Sequence, residues 1–201
     1  AFWIADRPTD YAYLMSAKTL QTLKRNCLML LQELVGEDNF KYSLSTKEGR
    51  LFGRKILLEG ANDAKSENKI RGMTLGGAYC DELTLFPKDF FSMLLSRLSV
   101  KGAKLIATTN PDVPTHWLKK EYIDNPKVDM LVLRFLIDDN TTLPEEYVRE
   151  IKKEYTGVYF ERFIRGNWVA AEGVIYPLFA DNPSRYIVDT LPEDIMFVTI
   201  G

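Results

Sequence analysis

The hydrophobic pattern predicts an α/β fold: a mostly parallel sheet flanked by helices, with an antiparallel hairpin at its edge. Three observations carry this. Short, continuous apolar runs at 11–17, 74–81 and 103–108 alternate with longer stretches of helical period at 19–35 and 87–98. The runs are apolar at nearly every position, as in strands covered on both faces. Residues 40–61 instead alternate, with no helical stretch between their two halves. Right-handed crossovers then place the parallel strands side by side.

The elements follow in order. Residues 2–5 read as the tail of an apolar helix, stopped near Pro8. A strand over 11–17 comes next. Thr19 is a fitting N-cap for a helix whose apolar residues Leu20, Leu23, Cys27, Leu30, Leu31 and Leu34 recur at helical spacing; Gly36 ends it. Tyr42 and Leu44, then Leu51, Ile56 and Leu58, form the two arms of a hairpin turning at Lys47–Arg50. Residues 62–71 are polar and aperiodic, a surface loop with room for one helical turn. The strand over 74–81 leads to Pro87, which opens a helix with Phe90, Phe91, Leu94, Leu95 and Leu98 on its apolar side. A strand over 103–108, a helix near 115–124 and a strand over 128–137 follow. Pro144, Glu145 and Glu146 start a helical segment over 144–166 that Gly157 divides in two. Beyond Gly166, Trp168, Gly173, Pro177 and Pro183 mark a linker, and 195–200 has the character of a final strand.

The totals exclude several classes. The chain has 201 residues and 46% apolar content, as in ordinary globular proteins. No apolar run approaches the length that crosses a bilayer, and the start lacks the basic region of a signal peptide. There is no initiator Met, and the chain reads as a fragment. A net charge of −2 supplies no global field for nucleic acid, so any DNA contact rests on local patches. Cys27 and Cys80 read as free buried thiols. One histidine, His116, excludes multi-histidine metal sites and reads as local packing or capping.

Chemistry concentrates at two strand tips. Leu75-Gly-Gly-Ala-Tyr-Cys ends in Asp81 and Glu82; Lys104-Leu-Ile-Ala ends in Thr108, Thr109 and Asn110. Ligands of open α/β sheets bind at the carboxyl ends of strands. One carboxylate plus phosphates is a common way to hold Mg²⁺, which suits Asp81. Glu82 then polarises an attacking water, because phosphoryl transfer needs positioning above all. The Thr-Thr-Asn group senses a γ-phosphate by hydrogen bonds. The bland alternatives stand beside these readings: a strand running out into solvated acids, and turn chemistry in Asn110-Pro-Asp-Val-Pro. Lys69 and Arg71 either reach phosphates of nucleotide or DNA, or decorate a solvated loop. Lys18, Lys24 and Arg25 face the same cleft or simply coat a helix. No G-x-x-x-x-G-K-[ST] loop occurs in these residues, so nothing here cradles phosphates with backbone amides.

In order, Ala78-Tyr-Cys-Asp81-Glu82, Ala107-Thr-Thr-Asn110-Pro-Asp112 and His116-Trp-Leu-Lys-Lys120 resemble the large subunit of tailed-phage terminases, the DNA-packaging motor. Residues 66–72 resemble the segment ahead of that family's Walker B strand, and 163–176 its junction to a nuclease domain. The resemblance implies a P-loop NTPase fold of the additional-strand type, with Asp81 and Glu82 as the Walker B pair and Thr108, Thr109 and Asn110 as the coupling motif. It implies ATP and Mg²⁺ as cofactors. The implied partners are double-stranded DNA, a small subunit, a portal or procapsid, and further copies of the chain, with no membrane, in the cytoplasm of an infected bacterium. It also implies an endonuclease activity of the full-length protein. The expected organisation is a partial ATPase core over 1–140, a helical subdomain over 141–170, and a linker with the first strand of a further domain over 171–201. Without a phosphate loop, this piece is expected to be nearly inactive alone. Two other readings remain open on the residues themselves: a helicase-like or repair ATPase, and a non-enzymatic α/β interaction module.

Overall fold

The computed structural model describes residues 2–170 and 185–187. The expected linker and strand beyond 170 lie outside the described residues, apart from 185–187. The chain divides into two compact units, Ala1–Thr109 and Asn110–Gly201.

The first unit holds the sheet. Its elements are α1 (Phe2–Ala5), β1 (Ala12–Ala17), α2 (Leu20–Leu23), α3 (Met29–Val35), β2 (Phe40–Ser43), β3 (Glu48–Leu51), β4 (Arg54–Gly60), β5 (Leu75–Cys80), α4 (Lys88–Arg97) and β6 (Lys104–Ala107). A π-helical turn, Lys24–Leu28, joins α2 to α3. The six strands run in the order β2-β3-β4-β1-β5-β6. The pairs β4–β1, β1–β5 and β5–β6 are parallel; β2–β3 and β3–β4 are antiparallel. The predicted mixed sheet, mostly parallel and flanked by helices, is therefore present.

Local chemistry explains most boundaries. Thr19 caps α2 by accepting from the Thr22 amide at 3.1 Å. Gly36 ends α3 with φ +84°, a conformation open to a residue without Cβ. The core packs Tyr13, Met15, Leu23, Leu28, Phe40, Ile56 and Leu58 together; Phe90, Phe91 and Leu94 of α4 are buried as their spacing predicts, whereas Leu95, and Leu30 and Leu34 of the first helical segment, expected on the same apolar sides, are exposed. Gly77 in β5 admits the Trp3 indole: a Cβ there would lie 2.4 Å from the ring.

Three expectations are corrected. Lys47–Arg50 is not the turn of a single hairpin. Residues 48–51 form β3, so 40–60 is a three-stranded meander. The tight turn lies at Phe52-Gly53, where φ is +48° and +80°; two left-handed residues match the twist of a two-residue hairpin loop. A buried Leu51 and a Glu48–Lys55 ion pair at 2.6 Å hold β3 in place. Residues 62–71 are more than a solvated loop. They form a 3₁₀ helix, Ala64–Lys69, with a capping box between Asp63 and Ser66, and they bury Ser66 and Ile70 completely. Residues 128–137 do not form a strand, since among the described residues nothing pairs with them and a strand requires a ladder partner. Leu131, Val132, Leu133 and Phe135 are exposed there.

The second unit contains a π-helical turn (Lys119–Ile123), a 3₁₀ turn (Ile137–Asp139), α5 (Glu145–Glu154), α6 (Gly157–Tyr159) and a further π-helical turn (Phe160–Ile164). Gly157, at φ +54°, divides the last helices as expected. Asp112 anchors the unit: it pairs with Arg162 at 2.8 Å, and its carbonyl accepts from the Val169 amide at 3.1 Å. His116 is a packing residue, its ring 5.2 Å from Trp117 and 6.0 Å from Trp168, with Nδ1 accepting from the Leu118 amide. Tyr155 and Tyr159 pack on Phe163.

Candidate functional site

The carboxyl ends of β1, β5 and β6 meet at one end of the sheet. The parallel register sets Ser16 beside Cys80 and Cys80 beside Ala107. The next residue of each neighbouring tip then falls within side-chain reach. The Asp81 amide donates to the Ser16 carbonyl at 2.8 Å, and the Thr108 amide to the Cys80 carbonyl at 3.0 Å. These backbone bonds extend the ladder one step past the strands and so place Asp81 and Thr108 side by side.

Asp81 is only 7% exposed. Burying a carboxylate is costly unless donors surround it. Three side chains do so. Thr108 Oγ1 donates to Oδ1 at 3.1 Å, Tyr79 Oη donates to Oδ1 at 3.3 Å, and Asn26 Nδ2 donates to Oδ2 at 3.0 Å. Tyr79 and Thr108 also lie 3.4 Å apart, oxygen to oxygen. All three donors are neutral, so none of them cancels the negative charge of Asp81.

Glu82 breaks the strand. Its backbone is left-handed, φ 55° and ψ 57°, and it begins a 3₁₀ turn over Leu83–Leu85. A glutamate in this region costs on the order of 1–3 kcal/mol, a kind of strain concentrated at functional sites. The turn is tied to β6: the Leu83 amide donates to the Thr108 carbonyl at 2.9 Å, the Thr84 amide donates to Thr109 Oγ1 at 3.0 Å, and Thr109 Oγ1 donates to Thr84 Oγ1 at 2.9 Å. Lys18, after β1, donates to the Leu85 carbonyl at 3.1 Å.

The structure thus brings Asp81, Thr108 and Thr109 into one bonded group with Glu82 in the chain between them. Asn110 opens the second unit. Lys69 is committed to its own loop, donating to the Gly60 carbonyl, Asn62 Oδ1 and Ser66 Oγ at 2.9–3.1 Å. Arg71 pairs with Glu67 at 2.9 Å on the surface. Sequence reasoning missed Tyr79 and Asn26. Tyr79 had a signal, since positions two apart on a strand share a face. Asn26 had none, because its position depends on the π-helical turn.

Behind the carboxylate the surroundings are apolar. Asn26, Cys27 and Tyr79 also line a cavity of about 330 Å³ whose other walls include Trp3, Leu30 and Ile106. Burial pushes the Cys27 thiol up to about 12 from its ordinary 9.0, and the Asp81 charge adds to the rise. Burial likewise raises Tyr79, which stays a phenol able to donate. Both cysteines are free thiols. The unfolded Cys27 thiol therefore ionises first as pH rises past 9.0, the unfolded state binds fewer protons, and stability falls between about 9 and about 12. Iodoacetamide at pH 8 should alkylate Cys27 much more slowly in the folded than in the urea-unfolded protein. Asp81→Asn should speed the folded-state reaction. Equal rates in all three samples would contradict this placement of Cys27.

A lone carboxylate held by neutral donors suits a cation that keeps its waters and takes other ligands from phosphate. Among the described residues no three His, Cys, Asp or Glu side chains gather into a metal cage. No helix among them is long and apolar enough to cross a membrane.

Comparison with known proteins shows the family. Among curated proteins nothing matches. Solved structures do. The large terminase of the thermophilic bacteriophage D6E in complex with ADP superposes with a TM-score of 0.78 at 32% identity, over 89% of this chain and 46% of that one. The same terminase in complex with ATP-gamma-S gives 0.75 at 32% identity, over 89% and 45%. A further crystal form gives 0.75 at 30% identity, over 96% and 48%. The chain thus spans about half the length of these proteins. The family profile described as terminase large subunit, T4likevirus-type, N-terminal, matches residues 33–181. With most of its length under that profile, the chain belongs to the terminase large-subunit family of T4-like-virus type and corresponds to the N-terminal part of it.

Proposed function

We propose that this chain is part of the ATPase domain of an ATP-driven DNA-packaging motor of P-loop type. One observation supports this above all: Asp81, at the tip of β5, accepts from Thr108 at the tip of β6, in a chain of the terminase large-subunit family. The structures with ADP and ATP-gamma-S are of a relative at 32% identity, which favours a nucleotide as the ligand here.

The residues divide the work as follows. Asp81 offers its carboxylate to the water shell of Mg²⁺. When bound, the metal would supply neutralisation of the phosphate charge. Glu82 orients a water for attack on the γ-phosphorus and takes up its proton. The bond to the bridging oxygen breaks, leaving ADP and inorganic phosphate. Thr108 and Thr109, bonded to Asp81 and to the turn after Glu82, would feel the loss of the γ-phosphate and, with Asn110, pass the change to a partner surface. Arg71 is the better placed of the two loop cations for a phosphate or DNA, since Lys69 is held by its own loop.

In the complete protein this motor moves double-stranded DNA into a procapsid, with a small subunit, a portal and further copies of itself, inside the infected host. An endonuclease activity of the full-length protein resides outside the partial ATPase core (1–140) and its helical subdomain (141–170), which the linker and first strand at 171–201 would follow. The piece alone turns over little ATP, because no phosphate loop lies within its residues.

A melting experiment on the complete protein tests the reading. ATP-gamma-S with Mg²⁺ should raise the transition by several degrees, since a ligand of the folded state stabilises it, by about 2.7 kcal/mol at a hundredfold excess over Kd. The same nucleotide with EDTA should raise it less. No shift with Mg²⁺ present would overturn the proposal.

A further inference from the structure

The Asp81 carboxylate is gripped on both oxygens, and the grip on one of them comes from an unexpected place. Tyr79 and Thr108, which serve Oδ1, belong to β5 and to the tip of β6. Asn26, which serves Oδ2, comes from the helical segment after β1, within the π-helical turn Lys24–Leu28.

The π-helical turn is what makes this contact compatible with packing. In a regular α-helix, successive side chains are spread around the axis at 3.6 residues per turn. Here Asn26 and Cys27, neighbours in sequence, both reach the end of β5: Asn26 bonds Asp81, and Cys27 Sγ lies 3.8 Å from Tyr79 Oη. Leu23 and Leu28 on either side remain fully buried. One wide turn thus carries two polar contacts without surrendering the apolar stripe, and such turns are frequent at functional sites.

The Asn26 amide is also oriented. Its Oδ1 accepts from Arg25 Nε at 3.3 Å, which leaves Nδ2 for the carboxylate. Arg25 and Asn26 are exposed, so this contact sits at the solvent rim of Asp81, not in the core. A carboxylate has about four lone-pair sites. Asn26 holds Oδ2 and so fixes how that oxygen is presented to a metal-bound water.

We propose that Asn26 is a positioning residue for the metal-facing oxygen of Asp81, holding Oδ2 so that it meets the water shell of a nucleotide-bound divalent cation. This rests on the reading of Asp81 given above. Partners that orient a metal-binding carboxylate commonly change metal affinity by 10–100-fold when removed. Asn26 touches neither water nor phosphate in this role; it acts through Asp81.

The test uses the complete protein and reads the Mg²⁺ concentration for half-maximal stabilisation of its ATP-gamma-S complex, alongside ATP turnover. Asn26→Ala should raise that concentration about tenfold. It should also lower the metal-free melting transition by a few degrees, since Oδ2 loses its donor, but the rise in Mg²⁺ requirement should persist at a temperature where the variant is fully folded. Met29→Ala, an exposed neighbour at the start of α3, should leave all of them alone. Tyr79→Phe, which removes a donor from the other oxygen, gives a second variant should Asn26→Ala fold poorly; it too should raise the Mg²⁺ requirement. Asp81→Asn separates the two ways of failing. If it leaves the Mg²⁺ dependence intact, both the metal reading and the positioning role fall. If it abolishes the dependence while Asn26→Ala binds Mg²⁺ as the wild type does, the positioning role alone falls. A rise shared equally by Met29→Ala would also overturn it.

Discussion

Glu82→Gln in the complete protein should lower ATP turnover by about 10²–10⁴-fold, the range a positioned general base contributes. Gln keeps the length and the hydrogen-bonding end of the side chain but cannot take a proton. The backbone at Glu82 is left-handed, at φ 55°. Gln meets the same backbone cost as Glu, so the fold and its melting transition should hardly move. Binding of Mg²⁺ and ATP-gamma-S should persist, because the proposed mechanism has Glu82 act on the water and not on the phosphates. Steady-state hydrolysis and nucleotide-induced melting shifts, measured on the same preparation, check both halves. Normal hydrolysis in the variant would remove Glu82 from the mechanism. Loss of nucleotide binding with loss of hydrolysis would instead give it a structural role.

Asp81→Ala should act on stability and function together. It leaves Asn26, Tyr79 and Thr108 without their common acceptor. An unsatisfied buried group costs about 1–3 kcal/mol. Here part of the group is near solvent, so about 2 kcal/mol in total is expected, or a melting transition lower by roughly 4–8 °C for a domain of this size. Asp81→Asn retains one acceptor oxygen and should recover most of that stability. Neither variant should show Mg²⁺-dependent stabilisation by nucleotide, and both should lack turnover. A variant that melts like the wild type and still responds to Mg²⁺ would place the metal elsewhere. The pairing of the two variants separates loss of fold from loss of charge.

Much of the fold was readable from pattern. The runs over 11–17 and 74–81 became β1 and β5, since a strand buried on both faces leaves an unbroken apolar run; the run over 103–108 became β6, but as an edge strand with Lys104, Ile106 and Ala107 exposed rather than covered. The helices at 19–35 and 87–98 followed from spacing and from Thr19, Gly36 and Pro87 as punctuation. The meander was misread for a physical reason. Lys47-Glu-Gly-Arg50 carries the polar and glycine content of a turn, whereas the true turn at Phe52-Gly53 places an aromatic in a left-handed conformation that propensity disfavours. Residues 128–137 carry strand composition but no strand. Composition states which residues tolerate a ladder; it cannot supply the partner.

The acid pair and the hydroxyl group could be named from sequence because each ends an apolar run, and a run's end is a local property. Their meeting was not local. It depends on β5 and β6 being parallel neighbours in a register that sets Cys80 beside Ala107. The grip of Asn26 on Asp81 spans fifty-five positions of chain and depends on one extra-wide helical turn. So the sequence alone determined the strands, their tips and the residue types offered there, because those follow from hydrophobic period and end signals. Only the tertiary structure decided which tips adjoin, which oxygens of Asp81 are held and that Lys69 is spent within its loop. Register and side-chain hydrogen bonding are set by long-range packing, which no local pattern encodes.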